Sequence, residues 1–576
     1  MNNKTISAQK MPNKTSAPDK PSQSGPGRLN LAVPPFRQGS KKKKLGDTIP
    51  IKRWHELHTH PESLLREVAA FLRPTNREKA DTLDRIYLAE TSLNTVTRGI
   101  NIIYNKYLQQ NEFPEPEIQR ENLNSAIDTI HQISTAYKHV FLQEYESFNS
   151  PMKLISDRVR HAGFRIIELA QIEQRLLAAT YKTLPNISWK DLNQVFFIFW
   201  HYDGLSQPRK LSGSLTVKSK NEKVKFSGEQ PRNPLQLYLS IQLFGLIDGN
   251  SFPNKVQHII DAYLSLLDYK IPIGNYNGEE LVDGQLVIAR NQSQPPHFKM
   301  QNIEKPAIQL DIFDLWRIVK KDADAQEKIN SGVADKISPA LATLNETDRT
   351  PHINALIKKL RHYTRQDTRK HTITARPLRI FVGFSDSHKA IEAASGHIDD
   401  DARMRTGLLH ALSENSASIA DDNQQIIDER WFLMDESEGG LRVRTQVSRF
   451  TTKISVGQVV AFNDISSDTQ DLKLGFISRI NRLNEVEIDI SVVKLGKSVK
   501  SIIIQDKLRT RKEAAMIGFL IQINERSSQI VLPVSWKIKP QQELSIHTPQ
   551  GQQKIIVQSP SLQQINFAVY DITVIR

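Results

Sequence analysis

Apolar side chains in the first half of the chain recur at steps of three and four residues, the spacing of a helix with one buried face. One run extends over Leu83–Tyr107 and another over Leu123–Phe141, and each predicts an amphipathic helix. A third helix is expected over Met152–Thr183, ahead of Pro185. These patterns predict a helical domain over residues 51–270.

Local end signals add to this prediction. Asn233 followed by Pro234 is typical of an N-cap with proline at the first helical position, and Pro253 is expected to open a further helix. Thr75–Glu78, directly after Pro74, fits the Ser/Thr-x-x-Glu capping box of a helix start. A helix bundle is favoured over a TPR-like solenoid because no clean 34-residue repeat is present.

From about residue 373 the period of the apolar positions changes to two, which is typical of half-buried strands. Gly and Asn/Asp turns separate several of these runs, as in an antiparallel barrel. An acidic stretch rich in Ser and Asp, residues 385–428, interrupts the series and is expected to project as a loop. The predicted barrel strands are Ile373–Val382, Trp431–Met434, Leu441–Phe450, Val456–Phe462, Leu474–Ile480 and Val486–Val493.

The change of period predicts an α+β protein, with a helical N-terminal bundle followed by an antiparallel β-barrel and further C-terminal β-structure. The 576-residue length allows several structural units. The expected units are a tail (1–50), the helical domain (51–270), a mixed connecting region (271–350), the barrel (351–505, with the insertion 385–428) and a β-rich extension (506–576).

The distribution of charge changes the prediction only for the N-terminal segment. The chain has a net charge of +14, and residues 1–50 hold ten Lys and Arg against two Asp. This segment almost lacks large apolar side chains, so we expect a disordered basic tail. The run Lys41–Lys44 fits a solvated linker, or a contact with anionic lipid or nucleic acid. The rest of the chain is nearly neutral, which makes a nucleic-acid partner unexpected.

Several classes of protein are excluded by composition. The chain has no cysteine, which rules out disulfides, thiolate zinc sites and iron–sulfur clusters. The longest apolar run, Val195–Trp200, is far shorter than the ~20 residues of a membrane-spanning helix. The N-terminus shows no apolar stretch typical of a secretion signal. We therefore expect a cytoplasmic protein.

No pattern indicates catalysis. Gly496–Ser498 resembles the end of a phosphate loop, but the glycine required five positions earlier is Ser491. His55–His58 lacks the second histidine of a zincin motif, which would stand at Thr59. The sequence predicts a binding protein, with no catalytic residue, no metal ligand and no cofactor.

Two motifs point to a ligand. Arg361–Arg369 contains Arg-x-x-x-Arg twice, just ahead of the first barrel strand, and Asp435–Gly440 is an Asp-x-Ser-x-x-Gly between two strands. In this order, on a barrel pattern, they resemble the PilZ domain family of cyclic-di-GMP receptors. Val456–Val460 and the strands around Leu474 and Glu487 are also similar to that family. The resemblance covers about residues 360–500.

The resemblance implies that Arg365 and Arg369 form a strap over cyclic-di-GMP, with Arg361 and Arg365 as an alternative register. Arginine suits this role because its planar fork donates paired hydrogen bonds to phosphate oxygens and to the O6/N7 edge of guanine.

The second motif completes the site that the resemblance implies. Asp435 is expected to accept a hydrogen bond from the guanine edge, and Ser437 is expected to contribute a hydroxyl contact. Gly440 is expected to permit a tight turn that brings backbone N–H groups to the ligand. For these residues to meet, the strand over 373–383 must pair in the same barrel as the strands that flank the turn.

The sequence thus predicts a bacterial signalling adaptor. Its PilZ-like barrel would bind cyclic-di-GMP, and its helical region would hold an unidentified protein partner. The alternative is a structural scaffold whose degenerate barrel binds no nucleotide and serves for docking.

Overall fold

The change from helical to strand periodicity is reproduced in the fold. A computed structural model shows a helical N-terminal region followed by two closed antiparallel barrels, so the α+β prediction is confirmed. None of the helices in the part of the chain that the structure describes is long and apolar enough to cross a bilayer. The described residues are 29–39, 41–110, 113–147, 155–202, 205, 208–209, 232–267, 270–298, 303–330, 332–333, 335–361, 370–395, 431–447, 453–465, 471–506, 515–524, 527–548 and 550–575.

The helices of the first half bury their apolar stripes against one another in a single core. The two longest, α3 and α4, cover the two predicted amphipathic runs and confirm them. The bounds are α1 (Ile51–Glu56), α2 (Pro61–Thr75), α3 (Thr82–Gln110), α4 (Glu117–Glu146), α5 (Asp157–Ala179), α6 (Asn186–His201), α7 (Pro234–Ile247) and α8 (Asn254–Leu266).

One predicted helix start is confirmed and one is wrong. Asn233 caps α7: its Oδ1 accepts from the N–H of Gln236 at 2.8 Å, and the Gln236 side chain accepts from the N–H of Asn233. Thr75–Glu78 does not start a helix, because α2 continues through Pro74 to Thr75. The Thr75 hydroxyl donates to the carbonyl of Phe71 within the preceding helix, so it is not available to cap a following one.

A small sheet and two helices complete the helical part. The sheet has the order β1-β3-β2 and is antiparallel. Its apolar residues, with those of the following helices, share the main core. We refer to residues 29–361 as the helical body. The bounds are β1 (Ile273–Asn275), β2 (Gln285–Ala289), β3 (Ala307–Asp311), α9 (Phe313–Asn330) and α10 (Glu346–Lys359).

The N-terminal segment packs on the helices, which corrects the expected disorder of residues 1–50. Leu31 and Leu45 are 5% and 2% exposed and belong to the main core. The N–H of Ala32 donates to both carboxylate oxygens of Asp191, at 3.1 and 3.2 Å. The composition led to a wrong expectation here, because a few buried leucines and backbone hydrogen bonds are enough to hold a largely polar segment against the helices. Residues 1–28 lie outside the described part of the chain.

The first barrel contains the strands that the period of two predicts. Its strands follow the closed order β4-β5-β6-β9-β8-β7. Arg376 of the first strand stands opposite Leu433, so the expected pairing with the strand before the turn is confirmed. The bounds are β4 (Lys370–Val382), β5 (Trp431–Glu436), β6 (Gly440–Gln446), β7 (Val459–Asp464), β8 (Lys473–Arg482) and β9 (Glu487–Leu495).

The insertion 385–428 is not simply a loop. Its first part forms α11 (Phe384–Ser395), and Ile391 of this helix is 1% exposed in a core shared by both barrels. The Ser387 hydroxyl donates to the carbonyl of Phe381 and accepts from the N–H of Ala461. A helix with one buried stripe was overlooked because it lies in a stretch dominated by polar residues. Residues 396–430 lie outside the described part.

The C-terminal β-structure is a second closed barrel with the order β10-β11-β12-β15-β14-β13. It begins at Ser498, inside the range 351–505 that the sequence assigned to the first barrel. The bounds are β10 (Ser498–Gln505), β11 (Ala515–Asn524), β12 (Ser527–Pro533), β13 (Glu543–Thr548), β14 (Gly551–Gln563) and β15 (Phe567–Ile575).

The first barrel is joined to the helical body by a buried ion pair. Arg482 of β8 and Glu115 of the α3–α4 connection have side chains 0% and 1% exposed, with 2.7 Å between Nη2 and Oε2. The guanidinium also lies 5.1 Å from the ring centroid of Phe113. Phe113 and Tyr181, both from the helical body, belong to the apolar cluster of the first barrel. The two parts therefore share a continuous interior.

Candidate functional site

The predicted strap lies between two well-defined ends. Arg365 and Arg369 fall in residues 362–369, outside the described part of the chain. Arg361, just before them, donates from Nε to Asp283 at 2.9 Å and stands 5.6 Å from the ring centroid of Trp316. Lys370, just after them, opens β4 opposite Glu436. The two residues that bound the strap in the sequence therefore lie at the helical body and beside the second motif.

The second motif forms a short hairpin turn between β5 and β6. The N–H of Ser437 donates to the carbonyl of Gly440 at 2.8 Å, and the Ser437 hydroxyl donates to the same oxygen at 3.4 Å. A Cβ on Gly440 would lie 2.7 Å from the carbonyl oxygen of Val492. Glycine is therefore required because β6 passes close to β9, which is a different reason from the tight turn expected from the sequence.

The Asp435 carboxylate is buried and already paired. Asp435 is 2% exposed, and its Oδ2 lies 2.8 Å from Nε of Arg442 on the neighbouring strand. Arg442 also approaches Asp489 of β9 at 3.6 Å, and Arg444 binds Asp489 at 2.7 and 3.2 Å. These side chains form a row of alternating charge across the outer face of β5, β6 and β9.

Arg442 and Arg444 were missed at the sequence level. The signal was present in the alternation of β6, where both arginines alternate with Leu441 and Val443, which point into the barrel. The same alternation is typical of any strand with one solvated face, so it carried no information on function. Their position beside Asp435 becomes visible only from the pairing of β5 with β6.

The extra acidic residue of the turn is neutralised by its surroundings. Glu436 lies 2.7 Å from Nζ of Lys494 and 3.3 Å from Nη2 of Arg376. Burial raises the pKa of Glu436, but the hydrogen bond from Lys494 and the nearby positive charges more than offset this, so the pKa lies below its ordinary value. Lys494 also donates to the carbonyl of Ser437 at 2.8 Å. The turn is therefore surrounded by cations.

No metal site was found at this location. Within the described ranges, no group of three or more His, Asp or Glu side chains is placed to hold a metal ion. The chemistry available around the turn is that of hydroxyl, carboxylate and guanidinium groups, which suits the recognition of a polar anion.

Comparison with known proteins gives one match. Residues 51–274 match the model of a family described as "Cyclic-di-GMP receptor FimW, N-terminal domain". The match spans α1 to α8, covers less than half of the chain, and supports a cyclic-di-GMP receptor family. No curated protein matches the chain, and no solved structure does. The matched region is the helical part, whereas Arg361–Arg369 and Asp435–Gly440 lie outside it in the sequence.

Proposed function

We propose that this protein is a cytoplasmic bacterial receptor whose first barrel, of PilZ type, binds cyclic-di-GMP. The observation that carries the proposal is the pairing of Lys370 with Glu436. Arg369 directly precedes Lys370 in the sequence, and Lys370 stands opposite Glu436 beside the turn that contains Ser437. The family match of the helical region supports the same ligand and a binding rather than a catalytic role.

In this proposal the strap and the turn hold opposite sides of the nucleotide. Arg365 and Arg369 donate to the phosphates and to the guanine edges, and the Ser437 hydroxyl adds a neutral contact. Asp435 accepts from a guanine, with Nε of Arg442 2.8 Å from its carboxylate. Arg376, 44% exposed, adds positive charge beside the same turn. These cations favour a ligand with two phosphates.

The proposal also includes a route to the helical region. The first barrel reaches the helices through Arg482 and Glu115 and through a shared apolar interior. A ligand shifts the packing of these two parts only if it binds one arrangement more tightly than the other. The helical region would then present the result to a protein partner.

The test is calorimetric titration of the full-length protein with cyclic-di-GMP. Arg365→Ala and Arg369→Ala should each weaken binding about tenfold or more, as expected for loss of a charged hydrogen bond of ~1.5 kcal/mol. Lys321→Ala, on the exposed side of α9, is the matched control and should bind like the wild type. If Arg361→Ala and Arg365→Ala weaken binding while Arg369→Ala does not, the alternative register is correct. Absence of binding by the wild type would refute the proposal.

One observation favours the alternative of a docking scaffold. Two of the three carboxylates of the turn already have cationic partners within the chain, Asp435 with Arg442 and Glu436 with Lys494. A barrel with satisfied internal ion pairs does not need a ligand to stabilise it. The same titration separates the two candidates, since a scaffold gives no heat with cyclic-di-GMP.

A further inference from the structure

A second potential binding site lies where the helical body meets the first barrel. It is a cavity of about 490 Å³, bounded by the turn after α5, by α6 and α7, by the loop 295–298 and by the end of α10. Arg479 of β8 is the barrel residue that lines it. The volume lies in the range of roughly 300–1,000 Å³ that is typical of small-molecule sites. We call it the junction cleft.

The lining of the junction cleft is strongly cationic. Its acidic residue is Asp248, which faces Arg479 at 3.0 Å and Lys359 at 3.6 Å. Lys358 is exposed and makes no ion pair with any described residue. Lys182 and Arg361 also have carboxylate partners outside the lining, Glu485 at 2.8 Å and Asp283 at 2.9 Å. Five basic residues against these three carboxylates leave a net positive charge in a concave site, which concentrates anions. The basic lining residues are Lys182, Lys358, Lys359, Arg361 and Arg479.

Much of the remaining lining is apolar, beside the polar side chains of Gln174, Thr183, Asn250 and His297. Trp189 is 1% exposed, and its Nε1–H has no hydrogen-bond partner among the described residues. The ring lies close to Gly245, where a Cβ would stand 2.8 Å from Cη2, so glycine allows the helix to approach the indole. Burial lowers the pKa of His297, which keeps this side chain neutral near pH 7. The apolar lining includes Trp189, Phe244, Pro295, Pro296 and Phe298.

We propose that the junction cleft binds a purine nucleoside monophosphate, separately from the strap and the turn of the first barrel. A planar ring fits against the aromatic and proline wall, and the phosphate meets Lys358 and Arg361 at the rim. Neither feature alone selects this class, because inorganic phosphate gains nothing from the apolar wall and a neutral nucleoside gains nothing from the cations. Arg361 thereby takes a role at the cleft, apart from the strap.

The test is calorimetric titration with GMP of the full-length Arg365→Ala/Arg369→Ala protein, in which the strap cannot contribute. Guanosine and inorganic phosphate are titrated in parallel. GMP should bind at least tenfold more tightly than either. Lys358→Glu, added to the double variant, should weaken GMP binding at least tenfold, because it reverses a charge at the rim without disturbing a described contact.

Lys321→Glu, an equal change of charge on an exposed face of α9, is the matched control and should leave GMP binding within about twofold. Equal affinity for GMP and inorganic phosphate would overturn the proposed ligand class. Unchanged GMP affinity in the Lys358→Glu protein, or no GMP binding up to about 5 mM, would overturn the site itself. Because the strap arginines are absent throughout, these outcomes are independent of cyclic-di-GMP binding.

Discussion

The two barrels have the same strand order and different surroundings. Numbered from its own first strand, each barrel closes in the order one-two-three-six-five-four, and every pairing is antiparallel. One topology is therefore built twice in succession along the chain. Features that both barrels share come from the fold, whereas features found only in the first barrel are candidates for the proposed site.

The surroundings differ at the entrance to the first strand. The first barrel is preceded by the eight residues 362–369, which contain Arg365 and Arg369. The second barrel follows β9 after Gly496 and Lys497 alone, with Gly496 at φ +70° and a Cβ there only 2.9 Å from the carbonyl of Gln522. A joint this tight leaves no room for a strap, so we expect the second barrel to bind no cyclic-di-GMP.

The barrels also differ in what they touch. The interior of the first includes Phe113 and Tyr181 from the helical body, whereas the main cluster of the second is made from its own strands and the short turn after β12. The second barrel also reaches the helices, since Ile565 between β14 and β15 packs against the main core. The two copies of one fold therefore differ in how much they contact the helical body.

The largest expected effect tests this difference in contacts. Glu115→Ala leaves the buried Arg482 without its carboxylate, and loss of one partner of a buried pair typically costs ~3–5 kcal/mol. Amide exchange in urea should show β8 opening at lower denaturant while β15 is unaffected. Replacing both partners, Glu115→Leu with Arg482→Met, should recover most of the stability. Equal opening of both barrels would show that the second also depends on this pair.

A second prediction compares how far cyclic-di-GMP slows amide exchange in each barrel. At a hundredfold excess of cyclic-di-GMP over its Kd, binding stabilises the bound unit by about 2.7 kcal/mol. Slower amide exchange is expected in β4 to β6, with no change in β10 to β12. The Arg365→Ala/Arg369→Ala protein with the same nucleotide serves as the control for protection that does not depend on the strap. Slower exchange in β10 to β12 rather than in β4 to β6 would place the ligand in the second barrel and contradict this prediction.

Two closely packed glycines give a matched pair of substitutions, one in each barrel. A Cβ on Gly440 meets the backbone oxygen of Val492 at 2.7 Å, whereas a Cβ on Gly518 first meets the side chain of Leu532 at 2.8 Å. A side chain can rotate away and a paired strand cannot. Gly440→Ala should therefore cost roughly 1–3 kcal/mol and Gly518→Ala less, as measured by urea unfolding. A larger loss of stability for Gly518→Ala than for Gly440→Ala would contradict the close approach of β6 and β9.

The smallest expected effect concerns pH. Because the pKa of Glu436 is lower in the folded protein, its stabilising contribution is present above its ordinary pKa near 4.5 and is lost as the pH falls through the lower folded value. The residue is partly exposed, so Glu436→Gln should cost under about 1 kcal/mol at pH 7 and nothing at the acid end. Urea unfolding from pH 7 to 3 measures this. If Glu436→Gln lowered the free energy of unfolding equally at pH 7 and at pH 3, the charge of Glu436 would not contribute to stability.

The comparison also shows what the sequence could predict. Local periodicity located α3, α4 and the strands of the first barrel, because burial on one face imposes a period. It missed α11 and the packing of Leu31, since in these stretches a few buried positions are hidden among polar residues. The closure of the second barrel and the pairing of Arg482 with Glu115 depend on residues far apart in the chain, which no local pattern records. The two motifs located the turn in the sequence. Arg442 could be assigned to the same site only once the pairing of β5 with β6 was known.

The packing between the barrels has a mechanical consequence. Phe476 of the first barrel and Phe567 of the second share one apolar cluster with Ile391, and His388 of α11 hydrogen-bonds to the carbonyl of Ile502 in the second barrel. With only Gly496 and Lys497 between β9 and β10, there is no swivel at this joint. We therefore expect the two barrels to move as one body. A rotation of that body at the helical junction would displace each residue in proportion to its distance from the pivot.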